Sequence, residues 1–400
     1  MTTEISVVNR NGIALAADSA STFYHPLNLH SKTYNSANKL FMLSYSEPIG
    51  IMIYGQADLA GIPWEPLCKY YRETLGLNAF SSLKEYASHF LTFIEENEDL
   101  FPANARESSL QNFFSHVFQA LWAYVTQGIM TTDEKQFLGR LEHEIALACT
   151  RLKEAPYDED VMDISDGVID KSIDVALEGV FPSSVLNSVR NQLHTLGKFL
   201  IQKGYEELPV GIVLAGYGTR EIFGSVLHYK IGPFVGHKLK KRLISEDSVA
   251  ELGAVVRAYA QQDVISLFMN GIDATIYRAV LDNVAEILRG VGVADEKIHD
   301  ITASFQDKLA KMMQDFSSAQ VMEAIRYLPK EELATFAEAL VALTVLKRHV
   351  SLDSETVGGP VDVAVLSKGD GFVWVKRKHY FDPNLNPYYF ARLKAKFQVP

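Results

Sequence analysis

The chain has 400 residues, 48% of them hydrophobic and 22% charged, with a formal net charge of −11 at neutral pH. Such a composition can bury a large core and excludes a disordered chain, while the acidic balance disfavours nucleic-acid or anionic-membrane binding, since both rest on Lys and Arg neutralising phosphate. Cys68 and Cys149 stand far apart and outside any metal-ligand spacing, which argues against a disulfide framework or a thiolate zinc site and fits a reducing cytoplasm.

Thr2 and Thr3 follow the start methionine, and the residues after them are strand-like. Ile5 to Val8 and Ile13 to Ala17 are β-branched or small and flank Asn11-Gly12, the strongest hairpin signal in the chain; the second strand runs into Asp18. Leu40 to Leu43 and Ile49 to Tyr54 read as further strands. From about Ala57 to Lys203 the period becomes helical, with apolar residues three and four apart in Leu83 to Ile94 and Phe113 to Val125. This predicts an enlarged helical insertion over residues 60–205, in which the acidic stretch Tyr157 to Asp163 reads as a solvated linker. Strands return at Val210 to Ala215 and Gly224 to Ile231, helices are expected from about Ser248 to His349, and a last strand pair, Pro360 to Leu366 and Gly371 to Lys376, turns at Ser367 to Asp370. Strands, helices, strands, helices, strands imply segregated layers in a single α+β domain spanning residues 1–400. No apolar run approaches the ~18 to 20 residues of a membrane span and no secretory pattern opens the chain, so a cytoplasmic protein is expected.

A small second residue lets methionine aminopeptidase remove Met1, which would leave Thr2 with both a free α-amine and a hydroxyl. A threonine hydroxyl needs an adjacent base to attack, and an unperturbed α-amine titrates near ~7.7 to 8.0, close enough to neutrality to take its proton. One residue would then hold nucleophile and base together.

Thr2-Thr3 with the hairpin, Leu15 to Ser19, Asn38 to Phe41 and Ile51 to Asp58, and later Val213 to Tyr217 and Val357 to Leu366, resemble the proteasome β-type subunits and their bacterial relatives, which are N-terminal-nucleophile (Ntn) hydrolases. The resemblance covers about half of the chain, and the sixteen positions from Thr2 to Asp18 match the family's interval from nucleophile to aspartate. It implies a four-layer αββα sandwich of two antiparallel sheets, the Ntn-hydrolase fold. It also implies roles. Thr2 would supply nucleophile and base, Lys39 would lower the hydroxyl pKa, Asp18 would hold Lys39, and the Gly55 N–H would stabilise the oxyanion. Substrate main chain would lie beside Ser21 and Thr22 and near Ala57 as an added strand. Ser21, Ala37, Ile53 and Ala57 would line the first specificity pocket, and being small or apolar they would favour an uncharged side chain.

Two positions depart from the family. Gln261 falls where a serine near the nucleophile's amine is usual; Val357 falls on a second family serine and Ser354 on its partner aspartate, with Asp353 and Glu355 beside it. Gln261, Asp353 and Ser354 are therefore the candidates for supporting the amine. The loop from Phe23 to Ser36 is a little longer than the family's and carries His25 and His30.

Taken together the resemblance implies a threonine-type peptidase that cleaves peptide or other amide bonds through an acyl-enzyme on Thr2, with no cofactor and no metal. Its partners would be peptide or protein substrates, other copies of the chain in a ring or multimer, and an unfoldase or regulatory protein. The alternative is a catalytically inactive proteasome-like scaffold that binds partners. A small-molecule amidase is the third reading, since one catalytic set does not dictate its substrate.

Overall fold

A computed structural model describes residues 2–24, 31–127, 134–158, 161, 164–203, 207–351 and 357–397. The chain is a mixed α+β protein built on two five-stranded antiparallel sheets. The first sheet runs, edge to edge, Ala254–Ala258, Glu4–Asn9, Gly12–Ala17, Asp362–Ser367 and Gly371–Lys376. The second runs Lys238–Ser248, Ser225–Val235, Val210–Gly216, Ile49–Gly55 and Leu40–Met42.

The N-terminal hairpin pairs Asn9 with Gly12, so its loop is Arg10-Asn11 and Gly12 opens the second strand. Asn9 fixes the turn: its Oδ1 accepts from the Asn11 N–H at 2.8 Å, and its Nδ2 donates to the carbonyls of Ile325 and Leu328 at 2.9 and 2.8 Å. The hairpin is thereby tied to the C-terminal end of the helix Ala319–Arg326.

Alternation along the strands divides three cores. Val8, Ile13, Leu15 and Ala17 of the first sheet meet Met52, Tyr54, Val213, Ala215 and Val226 of the second in the space between the sheets. Ile5, Val7, Ala14, Ala16, Val363 and Val365 point the other way, onto Leu333, Ala337 and Val341 of the helix Lys330–Val350. Ile49, Ile51, Ile212 and Leu214 face the helices Trp64–Leu75 and Leu83–Glu96. The order of layers is therefore helix, sheet, sheet, helix. Strands covered on both faces read as continuous apolar runs, which is why Ile13 to Ala17 and Ile49 to Tyr54 show little polar alternation.

The helical zone in the middle of the chain is two structures. Its first two helices cover the second sheet, whereas Ala103–Thr126, Glu134–Lys153, Asp166–Val180 and Ser183–Gln202 surround a core of their own, with Phe114, Phe118, Leu141, Ile145, Ile169, Ile173, Leu177, Val189 and Leu193. The bundle is fastened to the sandwich by Lys240, whose Nζ donates to Asp158 Oδ2 at 2.7 Å and to the carbonyls of Ile201 and Lys203. Asp158 is thus a half-buried counter-ion and not part of a solvated linker; the reading of Tyr157 to Asp163 is corrected at that position.

Two other expectations change. The zone from Ser248 to His349 is not wholly helical, because Ala254–Ala258 forms the edge strand beside Glu4–Asn9. The strand Lys238–Ser248, rich in charge, was not expected at all. Among the described residues no single helix is long and apolar enough to cross a membrane, although the bent pair Asp263–Asn270 and Ala274–Gly290 meets that length and composition together.

Candidate active site

Asp18 is where four segments meet. It follows the strand Gly12–Ala17 and is almost wholly buried. Its Oδ1 accepts from Lys39 Nζ at 2.7 Å and from the Thr3 N–H at 2.9 Å; its Oδ2 accepts from the N–H groups of Gly358 at 3.0 Å and Ala20 at 3.1 Å. A carboxylate offers about four acceptor positions, and these donors match that number. The Asp18 N–H in turn donates to the Thr3 carbonyl at 3.1 Å. One side chain therefore locks the N-terminal strand, the hairpin end and the Gly358 loop into one place.

Lys39 enters the strand Leu40–Met42 from the other sheet and is 6% exposed. Its carbonyl accepts from the Ile53 N–H at 3.0 Å, which pins its backbone to the neighbouring strand. Burial lowers the pKa of its ammonium; Asp18, by charge and hydrogen bond, and Glu4, by charge, work against that, and Lys378 adds to the lowering. Among the described residues Asp18 is the hydrogen-bond partner of Nζ, which takes one of three ammonium donors and leaves two.

The structure thus joins Asp18 to Lys39 and holds Thr3, the neighbour of Thr2, on the same carboxylate. Thr2 itself is buried, at 8% exposure. Gly55 ends the strand Ile49–Gly55 with φ +91°, and a Cβ there would lie 2.1 Å from the Pro209 carbonyl oxygen, so the backbone itself demands glycine. Ile53 lies two residues earlier with its side chain in the core shared with Leu59 and Trp64. Ala37 is half-buried, its N–H on the Ser19 carbonyl at 2.9 Å, and Ala57 is exposed, its carbonyl accepting from the Trp64 N–H at 3.3 Å.

Ser21 and Thr22 open the strand Ser21–Tyr24, which pairs only with Ser31–Tyr34 among the described residues and so forms a separate ribbon beside the site. Thr22 and Thr33 hydroxyls share a hydrogen bond of 3.1 Å across it. Gln261 is buried, and its carboxamide oxygen accepts from Arg348 Nε of the Lys330–Val350 helix. Asp353, Ser354 and Glu355, like His25 and His30, lie outside the described residues.

Three groups at the site escaped the sequence reading. Gly358 contributes both its N–H to Asp18 and its carbonyl to the Ser19 N–H at 3.0 Å. The Thr3 N–H does the same work from the other side. Glu4 is fully buried, and only the period of two along Thr2, Glu4 and Ser6 hints that it shares the face of Thr2.

Behind the site a polar seam runs through the inter-sheet core. Ser6 Oγ and the Tyr259 hydroxyl lie 2.6 Å apart, and the Tyr54 hydroxyl is 2.8 Å from His228 Nε2. Burial, helped by Lys230 and Arg257, depresses the His228 imidazole to about 4, so it is neutral at physiological pH. Among the described residues no cluster of three or more His, Cys, Asp or Glu side chains is placed to hold a metal ion. Comparison with models of known protein families and with curated proteins returns no match.

Proposed function

We propose that the chain is a threonine-type N-terminal-nucleophile hydrolase with the Ntn-hydrolase sandwich, acting on peptide or other amide bonds. The observation that carries the reading is the buried Asp18–Lys39 pair at 2.7 Å, set against a backbone that ties Thr3 to the same carboxylate. A buried lysine with two spare donors beside a candidate nucleophile has a chemical use that an ordinary structural ion pair lacks.

In this reading Met1 is removed and the Thr2 α-amine takes the proton of its own hydroxyl as Oγ1 attacks the substrate carbonyl. Lys39 lowers the hydroxyl pKa by its charge, and Asp18 holds Lys39 in place. The Gly55 N–H receives the oxyanion. The resulting ammonium protonates the leaving amine as the C–N bond breaks, leaving an ester on Thr2. Water then attacks that ester, again with the α-amine as base, and frees the acid. The Ser21–Tyr24 ribbon offers an edge for an extended substrate near Ser21 and Thr22.

The test begins with the mass of the mature chain, because a retained Met1 leaves no free Thr2 amine. Demethionylated protein should then be labelled by a peptide epoxyketone or a β-lactone, and Thr2→Ala should abolish labelling. Absence of labelling, together with a Lys39→Ala variant that behaves as wild type on candidate peptides, would favour the scaffold reading.

One observation favours that second reading. The helix Ala274–Gly290 has no buried residue, and Ile276 and Ile287 on it and Val291 at its end are exposed, as a partner-binding scaffold requires. A ring or multimer of this chain in the cytoplasm fits either reading. A monomer by light scattering would count against it.

A further inference from the structure

Glu4 is a buried ionisable group near the site that the mechanism above does not use. It stands two residues beyond Thr2, on the strand face that also carries Ser6 and Val8 into the inter-sheet core. It is 0% exposed, and among the described residues neither carboxyl oxygen has a hydrogen-bond partner. Its register partner is Ala17, the residue before Asp18. An isolated carboxyl buried among apolar side chains disfavours the fold and is rarely kept without a use.

The groups that face it are few. Lys39 approaches from the entry to Leu40–Met42 and Asp18 from the end of Gly12–Ala17. Tyr54 of the second sheet and Tyr259, just past Ala254–Ala258, both lie within its field. Farther out stand His228, the Arg257–Asp247 pair, and Lys378 paired with Asp362 opposite Ala17.

We infer that Glu4 is a positioning residue of the Thr2 site, a buried, unpartnered carboxyl next to the Asp18–Lys39 pair that sets how firmly Lys39 holds its proton. The inference rests on the hydrolase reading for its catalytic meaning, although the coupling of Glu4 to Lys39 stands without it. Burial pushes the Glu4 carboxyl well above the usual carboxylate range; the Lys39 charge opposes this and Asp18 reinforces it. While Glu4 is neutral, Asp18 is the anion in contact with Lys39, and the two spare ammonium donors stay available to the nucleophile. When Glu4 ionises, a second negative charge favours the charged form of Lys39 and moves its deprotonation to higher pH.

The experiment follows Lys39 and Glu4 directly. In demethionylated protein labelled with nitrogen-15 lysine, the Lys39 titration is compared between wild type and Glu4→Gln, whose side chain imitates the protonated acid. Infrared spectra of the wild type look for a protonated carboxyl persisting at neutral pH, a readout that needs no variant to fold. The expected result is that band, with the Lys39 midpoint displaced to lower pH in Glu4→Gln. Coincident Lys39 titrations in two folded proteins, or no protonated carboxyl at neutral pH, overturn the inference. β-Lactone labelling of Thr2 separates the two layers of the argument: its alkaline limb should move to lower pH with Lys39. No labelling in either protein, alongside a displaced Lys39 midpoint, sinks the hydrolase reading and supports the coupling.

Discussion

Lys39 and Lys240 are both buried, one at the mouth of the sandwich and one at the root of the helical bundle, yet they are furnished differently. Lys240 Nζ has a carboxylate and two carbonyls, enough to occupy its three donors. Lys39 Nζ has Asp18. A buried ammonium whose donors are all taken is a staple, since its charge is spent on neighbours that never change. In the proposed reading, an ammonium with donors to spare near Thr2 retains the capacity to meet something that arrives. The same residue type at similar burial thus has its donors filled in one place and, on the proposed reading, kept for chemistry in the other.

Truncation breaks the comparison most sharply at Lys240. Lys240→Met removes the ammonium that Asp158 and the carbonyls of Ile201 and Lys203 share, and removing one partner of such a pair costs roughly 3 to 5 kcal/mol. Urea unfolding should register that loss while β-lactone labelling of the remaining folded protein keeps its wild-type rate. Lys39→Met should cost less stability, roughly 1.5 to 3 kcal/mol, because three backbone N–H groups still hold Asp18. Its labelling rate should instead fall by about 10² to 10⁴. Equal stability losses with equal labelling rates would erase the distinction.

The contrast also separates what the sequence could disclose from what it could not. Asp18 and Lys39 were named through the family resemblance carried by Leu15 to Ser19 and Asn38 to Phe41, and the ion pair expected between them is present. The donors that complete Asp18 were not, since Gly358 arrives from 340 positions away and acts through its backbone, which no side-chain pattern records. Ala254–Ala258 was absorbed into a helical zone because five residues at a sheet edge are too short to show a period against the helices on either side. Lys238–Ser248 stayed hidden for a related reason: Lys240 to Arg242, Glu246 and Asp247 break any apolar alternation, and the partners that let these charges sit in a strand lie on other elements, Asp158 for Lys240, Glu95 for Lys241, Lys84 for Glu246 and Arg257 for Asp247. Lys240 itself could not have been told from a surface lysine without them.

Glu4 extends the comparison to a group that has no hydrogen-bond partner among the described residues. If its carboxyl is retained for the site and not for the fold, replacing it with an apolar residue of similar size removes an unpartnered buried polar group. Glu4→Leu should therefore raise stability by roughly 1 to 3 kcal/mol, read from the urea midpoint at constant slope. A loss of similar size would mean that the carboxyl is satisfied in solution and that its role is structural.

The smallest effect is a slope with pH, and its sign is fixed. The folded pKa of Glu4 lies above its ordinary value of 4.5, so its contribution is fully present below that value. As pH rises, the unfolded chain releases the proton first, and stability is lost progressively until the folded carboxyl ionises as well. Lys39 works in the opposite direction and over a higher range: with its folded pKa below 10.5, stability rises with pH between the folded value and that figure. Below the range in which Lys39 titrates, subtracting the Glu4→Gln curve from that of the wild type isolates the first contribution, since glutamine does not titrate. The difference should run against the wild type as pH climbs from about 4.5, at no more than about 1.4 kcal/mol per pH unit for one proton, and should level off where the folded carboxyl finally ionises. A difference that stays flat across this window would place Glu4 among the ionised carboxylates and remove it from the environment of Lys39.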